Sequence, residues 1–369
     1  MAELYIGLMA GTSLDGIDAC LVDFSDGQAK TIGFYYSPYD TTLIQRIAEL
    51  SLPEHRTGLQ DYGILDCELG HLFAASVRSL LQKTSISAAS IQAIGSHGQT
   101  VFHAPDLTFP FSLQIADPNV IAEQTGITTI ADFRRRDMAV NGQGAPLVPA
   151  FHEALFSHPT EHRCIINIGG IANITVLPAG SAQGALGFDT GPGNTLMDLW
   201  IQQQKNLAYD AGGQWAKTGS VDHDLIGRLK LDPYFKRYPP KSTGKEYFSL
   251  SWLQKKCGST SYKPEDIQAS LVFLTAITLC DAIRQYAPLT ERVLICGGGA
   301  QNDYLRQLIT KNLDCPVEST LTYGIHPDHV EAAAFAWLAR RTLNHLPGNQ
   351  TSVTGASRPV ILGGVYFAR

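Results

Sequence analysis

Residues 4–24 read LYIGLMAGTSLDGIDACLVDF: an apolar run, a Gly-rich polar turn and a second apolar run. That is the pattern of a β-hairpin whose turn carries small, hydrogen-bonding residues. Gly7, Gly11 and Gly16 let the backbone approach a ligand closely or take a positive φ. Thr12 and Ser13 add hydroxyls. Asp15 and Asp18 add carboxylates, which repel a phosphate unless a cation stands between. The turn therefore suits a Mg-nucleotide, and it equally suits a tight surface hairpin with Asp as a turn residue. A second copy favours the first reading. Residues 164–177, CIINIGGIANITVL, repeat the order of apolar run, Gly-Gly turn and apolar run. Two such hairpins, each opening about half of the chain, predict a duplicated α/β fold with a ligand between the halves.

Bulk properties narrow the class. A chain of 369 residues predicts about two domains. A formal charge of −6 with no long like-charged run argues against non-specific nucleic-acid binding. The one basic cluster, Arg134 to Arg136, is too short to track a phosphate backbone. The seven cysteines show no C-x-x-C spacing, and an odd count without a secretion signal points to a reducing compartment. No apolar stretch is expected to reach the ~18 residues of a membrane helix. The expectation is a soluble, cytoplasmic protein with no nucleic-acid and no membrane partner.

Outward from the first hairpin, 33–39 reads as a strand, and Thr41–Leu50 and 59–81 have helical spacing. A short buried strand at 91–95 is expected to end in Ser96-His97-Gly98-Gln99-Thr100, where ligands bind in α/β sheets. His97 and Gln99 could equally satisfy loop amides. Residues 132–137, DFRRRD, read either as a self-paired surface or as an anion-reading patch. The Gly/Pro-rich stretch 141–149 marks the expected junction between the halves.

In the second half a strand at 184–188 is expected to run into an elbow, Asp189-Thr190-Gly191-Pro192-Gly193-Asn194, before a helix. A helix N-terminus there favours anions. Residues 239–246, PPKSTGKE, look like a P-loop but lack its first Gly, and Glu246 stands where Ser or Thr is needed. A buried strand, Arg292–Cys296, leads into Gly297, Gly298, Gly299 and then Asn302. An Ala-rich amphipathic helix covers 331–343, and Glu331 in its first turn is explained by the helix dipole alone.

Three Gly-rich turns, 10–16, 168–173 and 297–302, together with the Asp189 elbow make four loops that two stacked half-domains could bring to one cleft. Two hairpins clasping phosphates and a Gly-rich turn under a base make a nucleotide site without a P-loop. Here the chain resembles a family, the anhydro-N-acetylmuramic acid kinases of the actin/hexokinase/Hsp70-like superfamily. The matching motifs are GLMAGTSLDGID (7–18), GSHGQTVFH (95–103), DFRRRD (132–137), the run from Asn141 and Gly142 into GAPLVPAFHEALF, INIGGIANIT (166–175), GFDTGPGNTLMD (187–198), KSTGKEYF (241–248), CGGGAQN (296–302) and EAAAFAWLA (331–339). They span nearly the whole chain in family order. Ala10 departs by standing where the family usually has Ser, and GSHGQT stands where a Cys can occur.

The resemblance implies two RNase H-like (actin-like ATPase) half-domains with an interdomain nucleotide and sugar cleft. The expected division is 1–145, 146–345 and a C-terminal tail 346–369, with the tail able to complete the first domain. It implies conversion of 1,6-anhydro-N-acetylmuramate, ATP and water to N-acetylmuramate 6-phosphate and ADP, with Mg²⁺ and as a homodimer. Asp189 matches the family's catalytic Asp. Gly11, Thr12, Ser13, Leu14, Asp15, Gly16, Ile17, Asp18, Gly169, Gly170, Asn173, Gly298, Gly299 and Asn302 are the expected ATP and phosphate contacts. Thr100, Arg134 and Glu331 are the expected sugar contacts, and the direct metal ligands stay open. Two rival readings remain: an actin- or Hsp70-like ATPase without a sugar acceptor, and a glycoside hydrolase with Asp189 and Glu331 as paired carboxylates. The hydrolase leaves the three Gly-rich turns unexplained.

Overall fold

The computed structural model describes residues 2–11, 14–51, 58–180 and 184–368, so Thr12 and Ser13 lie outside the described residues. The alternating apolar residues of the first hairpin form β1 (Leu4–Ala10) and β2 (Gly16–Asp23), paired antiparallel, and β3 (Lys30–Pro38) pairs with β2. Asp40 caps α1 (Thr41–Leu50) by accepting from the Leu43 amide at 2.8 Å, and α2 (Leu59–Thr84) follows. Then come β4 (Ile91–Ala104), β5 (Phe111–Ile115), α3 (Pro118–Thr125), β6 (Thr129–Ala131), α4 (Phe133–Met138) and α5 (Val148–Phe156). The second hairpin is β7 (Arg163–Ile168) and β8 (Ile171–Leu177), followed by β9 (Leu186–Pro192) and α6 (Thr195–Lys205). After α7 (His223–Lys230), α8 (Leu250–Cys257) and the long α9 (Pro264–Tyr286) come β10 (Arg292–Cys296), α10 (Asp303–Lys311) and β11 (Val317–Ser319). The chain ends with α11 (Val330–Leu343) and β12 (Gly364–Tyr366).

The two hairpins seed two sheets of the same plan. One contains the order β3-β2-β1-β4-β6, the other β9-β8-β7-β10-β11. In each, the first three strands are antiparallel and the last two run parallel to the hairpin's opening strand. This is the duplicated RNase H-like arrangement. The first core packs Ile6, Leu8 and Leu21 against Leu69, Phe73 and Val77 of α2. The second packs Ile166 and Ile174 against Val272, Ala276 and Leu279 of α9.

The two compact units are Met1–Leu155 with His329–Arg369, and Phe156–Asp328. The expected boundaries, 145 and 345, differ from these because packing overrides local turn chemistry. The α11 helix lies on β1 and β4, and β12 pairs with β6, so the chain returns to the first unit before α11 rather than after it. Gly7 and Gly95 make that return possible. A Cβ on Gly7 would strike the Ala332 carbonyl oxygen, and one on Gly95 that of Phe335. Gly7 therefore serves helix packing and not a ligand.

Three other expectations change. Strand β4 continues to Ala104, so Ser96 to Thr100 lie within it and not in a loop after it. Asp189 lies inside β9, because the Gly-rich residues after it still pair with β8. Helix α9 is long and apolar enough to cross a membrane, contrary to the sequence reading, but 78% of its apolar window is buried within the fold. All seven cysteines are free thiols.

Candidate active site

In the first unit several of the residues expected at the site lie on β1, β4, α4 and α11. Gln99 lies opposite Ala10 in the β1–β4 register and is fully buried. Its Nε2 donates to the Gly11 carbonyl and to the Thr100 carbonyl, both at 3.2 Å, which ties the first turn to the GSHGQT stretch. Leu14 also donates its amide to the Gly11 carbonyl, at 3.2 Å, with a φ of 58°. Asp15 is exposed, and its carbonyl accepts from the Tyr36 hydroxyl at 2.7 Å and the Tyr39 amide at 3.0 Å. Asp18 is half-buried on β2 opposite Met9. The Ile17 side chain belongs to the core and offers no side-chain contact to a ligand. Gly16 packs close to the Ser37 carbonyl on β3.

Thr100 Oγ1 accepts from Gln114 Nε2 at 3.0 Å. His97 is buried, and its Nδ1 lies 2.8 Å from the Gly98 carbonyl. A carbonyl only accepts, so Nδ1 carries the proton and Nε2 offers a lone pair. That lone pair accepts from Arg134 Nε at 3.2 Å and Nη2 at 2.8 Å. Burial, reinforced by the Arg134 charge, pushes the His97 pKa down to about 3, so the ring stays neutral. Arg134 Nη1 donates to the Gly144 carbonyl at 2.8 Å. Burial lowers the Arg134 pKa to about 10, and Glu331 and Asp137 oppose it, so the guanidinium stays charged.

The three arginines are thus unequal. Arg135 is bound to Asp132, with Nε 2.8 Å from both carboxylate oxygens, and Arg136 is exposed. Asp137 is fully buried and accepts from the Gly144 amide, Asn349 Nδ2 and Thr354 Oγ1, each at 2.8 Å. The DFRRRD stretch is neither a self-paired surface nor a uniform patch. It is a short helix with one structural acid, one surface pair and one guanidinium turned to His97.

In the second unit the sheet register aligns Asn167, Asn173 and Asp189 across β7, β8 and β9. Asp189 is half-buried, and Oδ2 accepts from the Thr243 amide at 2.9 Å. Its own amide donates to the Lys241 carbonyl at 3.1 Å, and its carbonyl accepts from the Tyr234 hydroxyl at 2.7 Å. Burial raises the Asp189 pKa to about 6, against the Thr243 hydrogen bond and the Lys241 charge. The Gly169 and Gly170 turn is bound to the exit of β9. The Gly193 amide donates to the Gly170 carbonyl at 2.9 Å and the Asn194 amide to the Gly169 carbonyl at 2.8 Å. The third turn closes on the same place: a Cβ on Gly297 would strike Asn167 Oδ1, and one on Gly299 would stand 3.0 Å from Asn194 Oδ1. Gly298 is exposed. Asn302 caps α10, its Oδ1 accepting from the Leu305 amide at 3.0 Å.

Among the described residues, the structure links Gly11, Gln99 and Thr100 in the first unit, and in the second Asn173 and Asp189 by register and Gly169 and Gly170 to the exit of β9. Sequence reasoning missed Asn167 and the 241–245 loop at Asp189, and it left His97 and Gln99 undecided. Strand alternation in the second hairpin held the signal for Asn167. The loop's signal was masked by its likeness to a P-loop.

The family model for anhydro-N-acetylmuramic acid kinase matches residues 3–368. The chain is 49% identical over 367 residues to the anhydro-N-acetylmuramic acid kinase of Coxiella burnetii, covering 99% of this chain and 98% of that one. It is 51% identical over 372 residues to that of Saccharophagus degradans, covering 99% of each. Among solved structures, component A of (R)-2-hydroxyglutaryl-CoA dehydratase from Acidaminococcus fermentans resembles it at 12% identity and a TM-score of 0.45, over 90% of this chain and 96% of that one.

Proposed function

The chain belongs to the anhydro-N-acetylmuramic acid kinase family, and on that premise we propose that Asp189 is the general base of its reaction. The activity is the ATP-dependent opening and phosphorylation of 1,6-anhydro-N-acetylmuramate, giving N-acetylmuramate 6-phosphate and ADP, in cell-wall recycling. The observation that carries the Asp189 reading is its environment. The carboxyl titrates near 6 because it is buried, and one of its oxygens is held by the Thr243 amide. A base is most effective when its pKa lies near the working pH and its geometry is fixed.

O6 is locked in the anhydro bridge, so there is no 6-hydroxyl to deprotonate. Asp189 instead takes a proton from water as that water attacks C1. The C1–O6 bond breaks, O6 takes the γ-phosphoryl group, and ADP leaves. The Gly11 to Asp18 turn and the Gly169 and Gly170 turn supply backbone donors to the phosphates. Arg134, oriented by His97, meets the lactyl carboxylate, since Arg135 is committed to Asp132.

Mg²⁺ fits this site as part of the nucleotide. Among the described residues no group of three His, Cys, Asp or Glu could hold a metal alone. Mg²⁺ commonly takes one or two carboxylates beside phosphate oxygens and water, and Asp18 and Asp15 are the carboxylates at the first turn. When bound it neutralises charge on the transferring phosphoryl group. A homodimer in the cytoplasm is part of the same reading, and the free thiols accord with a reducing compartment.

Reaction in ¹⁸O-water tests the scheme. Label is expected at the anomeric hydroxyl of the 6-phosphate product, read by mass spectrometry before exchange. Label on phosphate would mean that water attacked phosphorus and would refute it. Asp189→Asn is expected to lower kcat by roughly 10² or more, with ATP-analogue affinity retained. Near-normal turnover would place the base elsewhere.

A further inference from the structure

Asp232, just beyond α7, is a buried carboxylate that the scheme above does not use. Each of its oxygens accepts twice. Oδ1 takes the Tyr234 amide at 3.1 Å and the Tyr247 hydroxyl at 2.6 Å. Oδ2 takes the Trp252 indole Nε1 at 2.8 Å and lies 3.1 Å from the Lys256 ammonium, both on α8. Burial alone would raise its pKa, but the donors outweigh burial and hold the carboxyl down at about 2, so it is fully ionised near neutral pH. An amide in its place would have to set a donor nitrogen against a pair of donors, so the site is built for a carboxylate.

Four donors around one carboxylate suit a plain structural role, and the chain positions of the two Oδ1 donors add a second one. Tyr234 stands before the stretch 237–246, which has neither helix nor strand, and Tyr247 stands directly after it. Three hydrogen bonds reach Asp189 from the segment these two residues bound. The Tyr234 hydroxyl donates to the Asp189 carbonyl at 2.7 Å, the Lys241 carbonyl accepts from the Asp189 amide at 3.1 Å, and the Thr243 amide donates to Oδ2 at 2.9 Å. The Tyr234 ring is buried and packs edge-on against Phe248, with centroids 5.5 Å apart. Asp232 thus draws together the two ends of a loop whose middle grips Asp189. An irregular loop has many conformations open to it, and fixing its ends removes most of them.

We propose that Asp232 is a positioning residue for the general base: through the Tyr234 amide and the Tyr247 hydroxyl it closes the 234–247 segment around Asp189. The inference rests on Asp189 being the base, as in the proposed function. Asp232 touches no reacting atom in this account. Its effect passes through Tyr247 to the loop, and from the Thr243 amide to the Asp189 carboxylate. A base displaced by a fraction of an ångström from its water loses rate without losing substrate affinity.

The test is steady-state turnover of the anhydro-muramyl sugar with ATP, across the acid limb, for wild type, Tyr247→Phe, Asp232→Asn and Trp252→Phe, with the melting temperature of each recorded. Tyr247→Phe keeps the ring and removes the hydroxyl. It is expected to lower kcat roughly tenfold, with KM for sugar and for ATP within about twofold of wild type. Its acid limb of kcat/KM should move up by about half a pH unit or more. The Thr243 amide, which lowers the Asp189 pKa, is then held less firmly, while Lys241, the other group that lowers it, stays in place. Asp232→Asn should change both in the same direction and melt lower as well. Trp252→Phe removes an Oδ2 donor on α8, outside the loop, and should melt lower with kcat and limb unchanged. Wild-type kcat and limb in Tyr247→Phe, with wild type itself bending near pH 6, would overturn the inference and leave Asp189 as the base. Matching changes in Tyr247→Phe and Trp252→Phe would also overturn it, because general loosening and not the loop would then be responsible. A wild type without that limb would remove Asp189 as the base and this inference with it. Should Asp232→Asn fail to fold, Tyr247→Phe and Trp252→Phe decide between these outcomes.

Discussion

Burial raises the Asp189 carboxyl pKa, and that raises the cost of ionising it in the folded protein. Its folded pKa, about 6, is above the ordinary 3.8. Its contribution to stability is therefore fully present below pH 3.8 and lost as pH rises through about 6. Asparagine never ionises, and its Oδ1 can still accept from the Thr243 amide. Asp189→Asn should then melt higher than wild type at pH 7.5, with the difference shrinking towards pH 4. If Asp189 is the base proposed above, the same titration governs the rate. The acid limb of kcat/KM should bend near pH 6 and fall tenfold per unit below it, and a flat profile down to pH 5 would exclude Asp189 as the base. At Arg134 the expectation concerns recognition. Arg134→Gln should raise KM for the anhydro-muramyl sugar roughly tenfold or more, the scale of a lost charged hydrogen bond. An anhydro-glucosamine analogue lacks the lactyl group and should already be a poor substrate for wild type. If it turns over as well as the muramyl sugar, Arg134 reads no carboxylate.

Secondary-structure elements place these residues through contacts a few ångströms deep. Helix α11 brings Glu331 into the field of Arg134 because the sheet beneath it is bare at Gly7 and Gly95. These glycines have no positive φ, so they are needed for space and not for backbone freedom. Alanine at Gly95 would push its Cβ into the Phe335 carbonyl. Helix and strand would have to part, at about 3 kcal/mol, the upper end of ordinary overpacking. Urea unfolding of Gly95→Ala measures this directly, and a loss under 0.5 kcal/mol would mean that the helix slides freely. Strand β4 works by its length. It runs on past Gly95, so Gln99 can reach back to Gly11 while Thr100 meets Gln114.

At the scale of the molecule, the second unit is an insertion between α5 and α11 of the first. The C-terminal stretch is therefore structural and not an appendage. Asn349 and Thr354 supply two of the three hydrogen bonds to the buried Asp137 carboxylate, and β12 extends the first sheet along β6. Removing 346–369 would leave that carboxylate under-satisfied, at about 1–3 kcal/mol for each lost partner, besides exposing an edge. The truncated chain should lose many degrees of melting temperature or fail to accumulate folded. A melting temperature within about two degrees of wild type would contradict this account.

The sequence by itself determined what is local and periodic. Residues 4–24 and 164–177 specified two hairpins, because alternation and a Gly turn leave a chain few other choices. Their repetition announced the duplicated fold, and the ordered motifs announced the family. What lay beyond it depended on contacts between residues far apart in the chain. Gly7 has the same local signature whether it faces a ligand or a helix, and only α11, more than 300 residues later, decides. Arg134, Arg135 and Arg136 are chemically alike. Their difference lies in His97 and Gly144 on one side and Asp132 on the other. The loop at 241–245 had a phosphate-like composition and the wrong spacing. Its place beside Asp189 and Gly170 came from folding, since a carboxylate's pKa and a lysine's neighbours are set by burial and distance, which a linear sequence does not contain.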